Sequence, residues 1–278
     1  MRTAVNPNLS LVTTRPQRSI FNSPRASLAI MSSTARPTTL CTFDVDGTLI
    51  HTVGDRANKL HKDAFAHGFR TVYGIETTID VVSHQGSTDM LISAAVMRHH
   101  GLDEETIQER MATHCNAMSQ YALERKADAA DGLELLPGVL ELLRELAERT
   151  DVVVCLVTGN LQPIAWAKME RLGVSEYFTL PRFGGFGSDH TDRGELVKLA
   201  ATRAGELVDL DVASARRFHF GDTPQDIEAA ERSGATAVGL LTGIFSREQL
   251  VESSKLDDPI IFPDLTDTRA VMRALGLE

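Results

Sequence analysis

The chain has 278 residues, 42% hydrophobic and 24% charged, enough for a sizeable buried core and ordinary for a globular protein. Its formal net charge of −10 excludes a nonspecific nucleic-acid binder, which needs a basic footprint. No stretch approaches the roughly 18 consecutive apolar residues that mark a membrane-spanning helix. Three cysteines, Cys41, Cys115 and Cys155, give neither a disulfide framework nor a zinc spacing and read as buried reduced thiols.

Residues 1–40 hold five arginines and no carboxylate; the first acid is Asp44. An Arg- and Ser-rich, acid-free leader without an apolar core is patterned like a plastid or mitochondrial transit peptide. Residues 1–38 are therefore expected to be a disordered organelle-targeting leader. A start at Met31 and a cytoplasmic chain is the alternative.

The run TTLCTFDV predicts a strand ending at Asp44. Ala57, Leu60, Ala64 and Phe65 recur at helical spacing and predict a helix near 55–68. Two more helices are expected over 88–99, with Thr88 as N-cap, and over about 103–127. Between 53 and 136 only TTIDVV reads as a strand. Beyond it, LLPGVLELLRELAERT starts a helix near Pro137 or Gly138, and DVVVCLVTG is a fully apolar strand. SEYFTLP, RRFHFGD, ATAVGLL and DPIIFPDL follow as strands, with helices in RGELVKLAATRAGE and TPQDIEAAERSG. This alternation predicts an α/β fold: a Rossmann-like parallel sheet core of residues 39–52 and 137–278, interrupted by a helical insert over 53–136.

Parallel sheets bind ligands beyond the carboxyl ends of their strands. One such end carries Asp44 and Asp46 before Gly47; a second carries Thr158, Gly159 and Asn160; a third carries Asp222 and Asp226. Converging carboxylates repel, and a hard divalent cation such as Mg²⁺ is the natural compensation. Taken singly, each aspartate could instead be a helix cap or turn residue.

The stretches FDVDGTL, LVTGN and HFGDTPQD resemble, in order, three motifs of the haloacid dehalogenase-like superfamily. The helical insert falls where that superfamily carries its C1-type cap. The resemblance implies Asp44 as nucleophile and Asp46 as general acid and base, with Thr158 on the phosphate. It further implies Mg²⁺ held by Asp44, the Asp46 carbonyl and Asp222, with Asp226 orienting the site. The family's usual Lys-Pro before the third motif is absent. Arg193 is the expected replacement, with Lys198 as the alternative. Dehalogenation needs no acid two residues after the nucleophile, so Asp46 points to phosphoryl transfer. The pattern is most similar to C1-capped, phosphoglycolate phosphatase-like hydrolases. A β-phosphoglucomutase-like enzyme and a noncatalytic binding protein of the same fold are the alternatives.

Gly159 and Asn160 are expected to bind substrate, as is the insert turn SHQGSTD through Gly86, Ser87 and Thr88, unless that turn is simply a capped helix start. His51 and His84 are further candidates. The ligand is then a small phosphate monoester, with no nucleic acid or membrane partner; neither its identity nor the oligomeric state is legible.

Overall fold

The structure, a computed structural model, describes residues 36–278. The leader expectation, and with it the compartment, falls almost wholly on residues outside that range. A six-stranded parallel sheet forms the centre, with β1 (Thr39–Phe43), β4 (Val152–Thr158), β5 (Gly184–Phe186), β6 (Arg216–Gly221), β7 (Thr236–Leu240) and β8 (Ile260–Phe262) in the order β5-β4-β1-β6-β7-β8. β1 therefore lies between β4 and β6. That order sets three of the carboxyl ends side by side.

Both faces of the sheet are covered, so β1 and β4 are buried throughout. One layer packs α4 (Val139–Ala147) and α9 (Thr268–Ala274) on Phe43, Leu156 and Phe220. The other packs α6 (Arg193–Val208), α7 (Pro224–Arg232) and α8 (Arg247–Ser253) on Leu40, Val153 and Val157. Directly beneath the first carboxylate, the rings of Phe43 and Phe220 stack at 4.4 Å.

Between β2 (Ile50–Thr52) and β3 (Leu133–Leu135), which pair antiparallel, stands a helical segment of α1 (Lys59–Gly68), α2 (Asp89–His99) and α3 (Glu104–Glu124). Its own core, including Phe65, Phe69, Met97 and Met118, is shared with Ile164 and Ala167 of α5 (Gln162–Arg171). The opposite side of α5 gives Ala165, Trp166 and Met169 to the sheet layer, so this helix is buried on both sides. Cys41 and Cys155 are buried as expected, whereas Cys115 is half-buried; all three are free.

Several elements differ from the sequence reading, which gave neither β2 nor the helices α5, α8 and α9. SEYFTLP holds a 3-10 turn at Ser175–Tyr177, and the strand beside β4 is Gly184–Phe186 instead. Thr179 bonds Val154 in both directions, at 3.0 Å each way, but Pro181 two residues on has no N–H to extend a ladder. TTIDVV forms a 3-10 turn over Ile79–Val81, capped by the Thr78 hydroxyl. The three-residue strand β3 is too short to show an alternating pattern.

Candidate active site

At the end of β1 the chain turns tightly: Val45 O accepts the N–H of Leu49 at 2.9 Å and of Ile50 at 3.1 Å. Gly47 adopts φ +88°, and a Cβ there would run into the Asp222 carboxylate. The turn brings Asp44 and Asp222 to the same point from adjacent strands. Asp44, Asp222 and Asp226 each offer an oxygen, all within 4.8 Å of one another, and all three side chains are buried.

Three buried acids call for cations, and the structure supplies one directly. Arg193, at the first position of α6, places Nη1 3.0 Å from Asp44 Oδ1 and 2.7 Å from Asp226 Oδ1. Lys198 lies on the exposed face of the same helix, 2.7 Å from Glu195, away from the site. Asp226 is saturated: Oδ2 accepts the N–H and hydroxyl of Thr223 at 3.1 and 2.7 Å, and Oδ1 faces Arg193 and His219 Nε2, the latter at 3.3 Å. Burial works to raise its pKa, but Arg193, His219 and Thr223 outweigh that and hold the carboxyl well below the usual range.

Asp44 and Asp222 remain under-compensated. Burial, with Asp226 and Asp46 nearby, raises the Asp44 pKa despite Arg193. Burial, with Asp226 and Asp44, pushes Asp222 up to about 8; among the described residues its Oδ1 accepts only the Thr48 hydroxyl, at 3.2 Å. Two buried oxygen donors that resist ionising together fit a hard divalent cation.

Asp46 has a different counter-charge, one the sequence reading missed. Lys168 of α5, 1% exposed, donates to both Asp46 oxygens at 2.9 and 2.8 Å and to Asn160 Oδ1 at 2.8 Å. Asn160 in turn donates Nδ2–H to Asp46 at 2.9 Å. Burial opposes the ionised form of Asp46, but Lys168, His61 and Asn160 outweigh it and lower the pKa. His61 of α1 sets Nδ1 3.4 Å from Lys168 and Nε2 3.0 Å from Asp89 of α2, and Asp89 Oδ2 accepts the Leu161 N–H at 2.8 Å. This chain of contacts runs from the helical segment to the sheet.

Thr158, Gly159, Gly86 and Ser87 line the same cavity, of about 400 Å³, together with Asp44, Asp46, Asn160, Arg193 and Asp222. The Thr158 hydroxyl accepts the Asn160 N–H at 3.3 Å, and its own hydrogen has no acceptor among the described residues. Gly159 O accepts the Asp89 N–H at 2.8 Å, which seats the 83–89 turn on the sheet. Thr88 does not line this cavity: its buried hydroxyl caps α2 by accepting the Leu91 N–H. The short hydroxyl is spent on the helix end, so Asp89 faces the cavity in its place. His84 lines the cavity, whereas His51 stands half-exposed opposite Glu134.

A family description, haloacid dehalogenase-like hydrolase, matches residues 38–234. The chain is 27% identical over 218 residues to the phosphoglycolate phosphatase of Agrobacterium fabrum, covering 76% of this chain and 84% of that one. It is 25% identical over 247 residues to the phosphoglycolate phosphatase of Shigella boydii, covering 84% and 91%. The fold superposes on a hydrolase from Pseudomonas syringae with a TM-score of 0.56 at 20% identity, over 85% of this chain and 98% of that one. With a family match across more than half its length, on a sheet that gathers the motif residues at one rim, the chain belongs to the haloacid dehalogenase-like hydrolase family.

Proposed function

We propose that the protein hydrolyses small phosphate monoesters with Mg²⁺, through an aspartyl-phosphate on Asp44. The coarser assignment, a phosphatase of its family, stands on the family match and the two relatives. The observation that carries the finer one is the division of labour between two aspartates two residues apart. Asp44 is buried against Arg193 at 3.0 Å, and Asp46 is held by Lys168 at 2.8 Å.

In the first step an Asp44 oxygen attacks phosphorus, and the bond from phosphorus to the ester oxygen breaks. Asp46, held ionised by Lys168, His61 and Asn160 before substrate binds, takes up the proton of a monoanionic monoester and passes it to the departing alkoxide. In the second step the ionised Asp46 takes a proton from water as that water attacks phosphorus, and the bond to Asp44 breaks. Lys168 and Asn160 fix the Asp46 carboxylate through both steps. The Thr158 hydroxyl hydrogen is available to a nonbridging phosphate oxygen. So is Arg193 Nε–H, which is buried and has no partner among the described residues. Asp44, Asp222 and the Asp46 carbonyl would hold Mg²⁺, which when bound neutralises phosphoryl charge for attack.

The test is phosphate release with and without Mg²⁺ from 2-phosphoglycolate, hexose phosphates and nucleoside monophosphates, with Asp44→Asn as blank. Mg²⁺-dependent release that Asp44→Asn abolishes supports the reading. Interconversion of sugar phosphates primed by a bisphosphate, with no release to water, would make the protein a mutase. Silence in both assays would make it a binding protein.

A further inference from the structure

Four donors meet the two oxygens of Asp226, and one of them comes from the middle of the sheet. His219 of β6, 1% exposed, places Nε2 3.3 Å from Asp226 Oδ1 and Nδ1 3.0 Å from the Thr42 hydroxyl. Thr42 is its register partner on β1, and the same hydroxyl reaches Phe218 O at 3.0 Å. That hydroxyl has one hydrogen, to give either to Phe218 O or to Nδ1. In both cases Nε2 carries a hydrogen, because Asp226, held well below the usual carboxylate range, is ionised and only accepts.

The strand shapes the seat as well as hydrogen-bonding it. Gly221 lies two residues beyond His219, on the same face of β6. A Cβ at Gly221 would collide with the Asp226 side chain, so the glycine leaves the room that this aspartate fills. Thr223 anchors Oδ2 through its N–H and hydroxyl. Oδ1 is the oxygen that Arg193 uses, and among the described residues its one other donor is His219.

Arg193 depends on that oxygen. Its Nη1 sits 2.7 Å from Asp226 Oδ1 and 3.0 Å from Asp44 Oδ1, whereas Nη2 reaches Gly86 O at 3.5 Å. The guanidinium is planar and rigid, so a shift of the Asp226 oxygen moves Nε together with Nη1. Nε–H is buried, has no partner among the described residues, and is the donor left for phosphate.

We infer that His219 is a positioning residue for phosphoryl transfer: its Nε2–H fixes Asp226 Oδ1, and Asp226 in turn aims Arg193 at the phosphate. The inference rests on the phosphatase reading and adds to that site a residue that does not itself line the cavity. A donor two contacts from the phosphate matters because a displacement of about 1 Å at a reacting geometry can cost about 10²-fold in rate.

The experiment measures kcat/KM of the full chain with Mg²⁺, on whichever of p-nitrophenyl phosphate and the panel above the parent cleaves fastest. His219→Phe removes the donor and fills its space, and should lower kcat/KM by about ten- to a hundred-fold. His219→Gln, whose amide nitrogen reaches the place of Nε2, should recover most of that loss. Added to Arg193→Ala, His219→Phe should cost less than about two-fold more, because the group it positions is gone; a role in packing alone would multiply the two losses. The same loss in both backgrounds, no loss in His219→Phe, or a Gln variant no better than Phe each overturns the inference. If His219→Phe does not fold, His219→Asn takes its place in every comparison, since its shorter amide reaches the place of Nδ1 and not that of Nε2. A parent chain that cleaves none of these esters overturns the hydrolase reading itself, and this inference with it.

Discussion

Lys168 Nζ stands 2.9 and 2.8 Å from the two carboxylate oxygens of Asp46, while Asp44, two residues earlier, is paired with Arg193. The two acids of the first motif thus have separate, buried counter-charges from separate helices. In the proposed mechanism Asp46 moves a proton, so the geometry Lys168 imposes matters most where proton transfer to the leaving group limits the rate. Lys168→Met is expected to lower single-turnover cleavage of alkyl phosphates by about 10²-fold, the lower end of a general acid's worth. Cleavage of p-nitrophenyl phosphate, whose leaving group needs no proton, should fall much less. An equal loss on both substrates would reduce Lys168 to a structural residue.

Arg193 and Lys198 share a helix but not an environment: the first is 7% exposed between two carboxylates, the second exposed on Glu195. Arg193→Ala should lower kcat by about 10²- to 10³-fold, as loss of one preorganised charge donor does. Lys198→Ala should leave kcat unchanged. Steady-state kinetics of both variants decide it, and the reverse pattern would overturn the assignment.

Asp222 is held in a conflict that a cation relieves, its pKa pushed up to about 8 by burial and by Asp226 and Asp44. Asp222→Asn should therefore melt no lower than the parent protein in EDTA. It should also lose the parent's upward shift in Tm on adding Mg²⁺. A full Mg²⁺ shift in this variant would remove Asp222 from the metal site.

His114, buried in α3, stacks on Phe69 at 4.9 Å and meets Ser93 Oγ at 2.8 Å. Burial pushes its pKa down to about 4 from 6.5. The unfolded chain then binds the proton more readily between those values, so this group's stability is present above pH 6.5 and is lost as pH falls toward 4. The depression is worth about 3 kcal/mol across that window. Urea unfolding of the parent and His114→Gln at pH 7 and pH 4.5 should show a smaller acid loss in the variant. Equal losses would contradict it.

What the sequence disclosed was what is local and one-dimensional. Apolar runs ending in acids or a hydroxyl placed Asp44, Thr158 and Asp222 at strand ends, and helical spacing located α1, α2 and α3. Lys168 was missed because its function comes from the crossing of α5 between two layers, which no spacing encodes. The signal was nevertheless there. Lys168 stands in IAWAKM (residues 164–169), a stretch apolar on every side and buried throughout, where a lone lysine needs a partner. His61 and Asp89 were passed over for the same reason: they meet only once the insert is folded. Thr88 reads in the sequence both as N-cap and as substrate contact; its hydroxyl serves the helix end, because a threonine before an acidic first turn suits either purpose until the backbone is known.

The most direct test of the account is chemical trapping of the intermediate. With Mg²⁺ and a ³²P-labelled phosphate monoester that the protein turns over, acid quenching during turnover should leave label on the peptide carrying Asp44. The label should be lost in hydroxylamine, as an acyl phosphate is, and absent from Asp44→Asn. Turnover with no acid-stable label on that peptide, or undiminished turnover by Asp44→Asn, would contradict nucleophilic attack by Asp44.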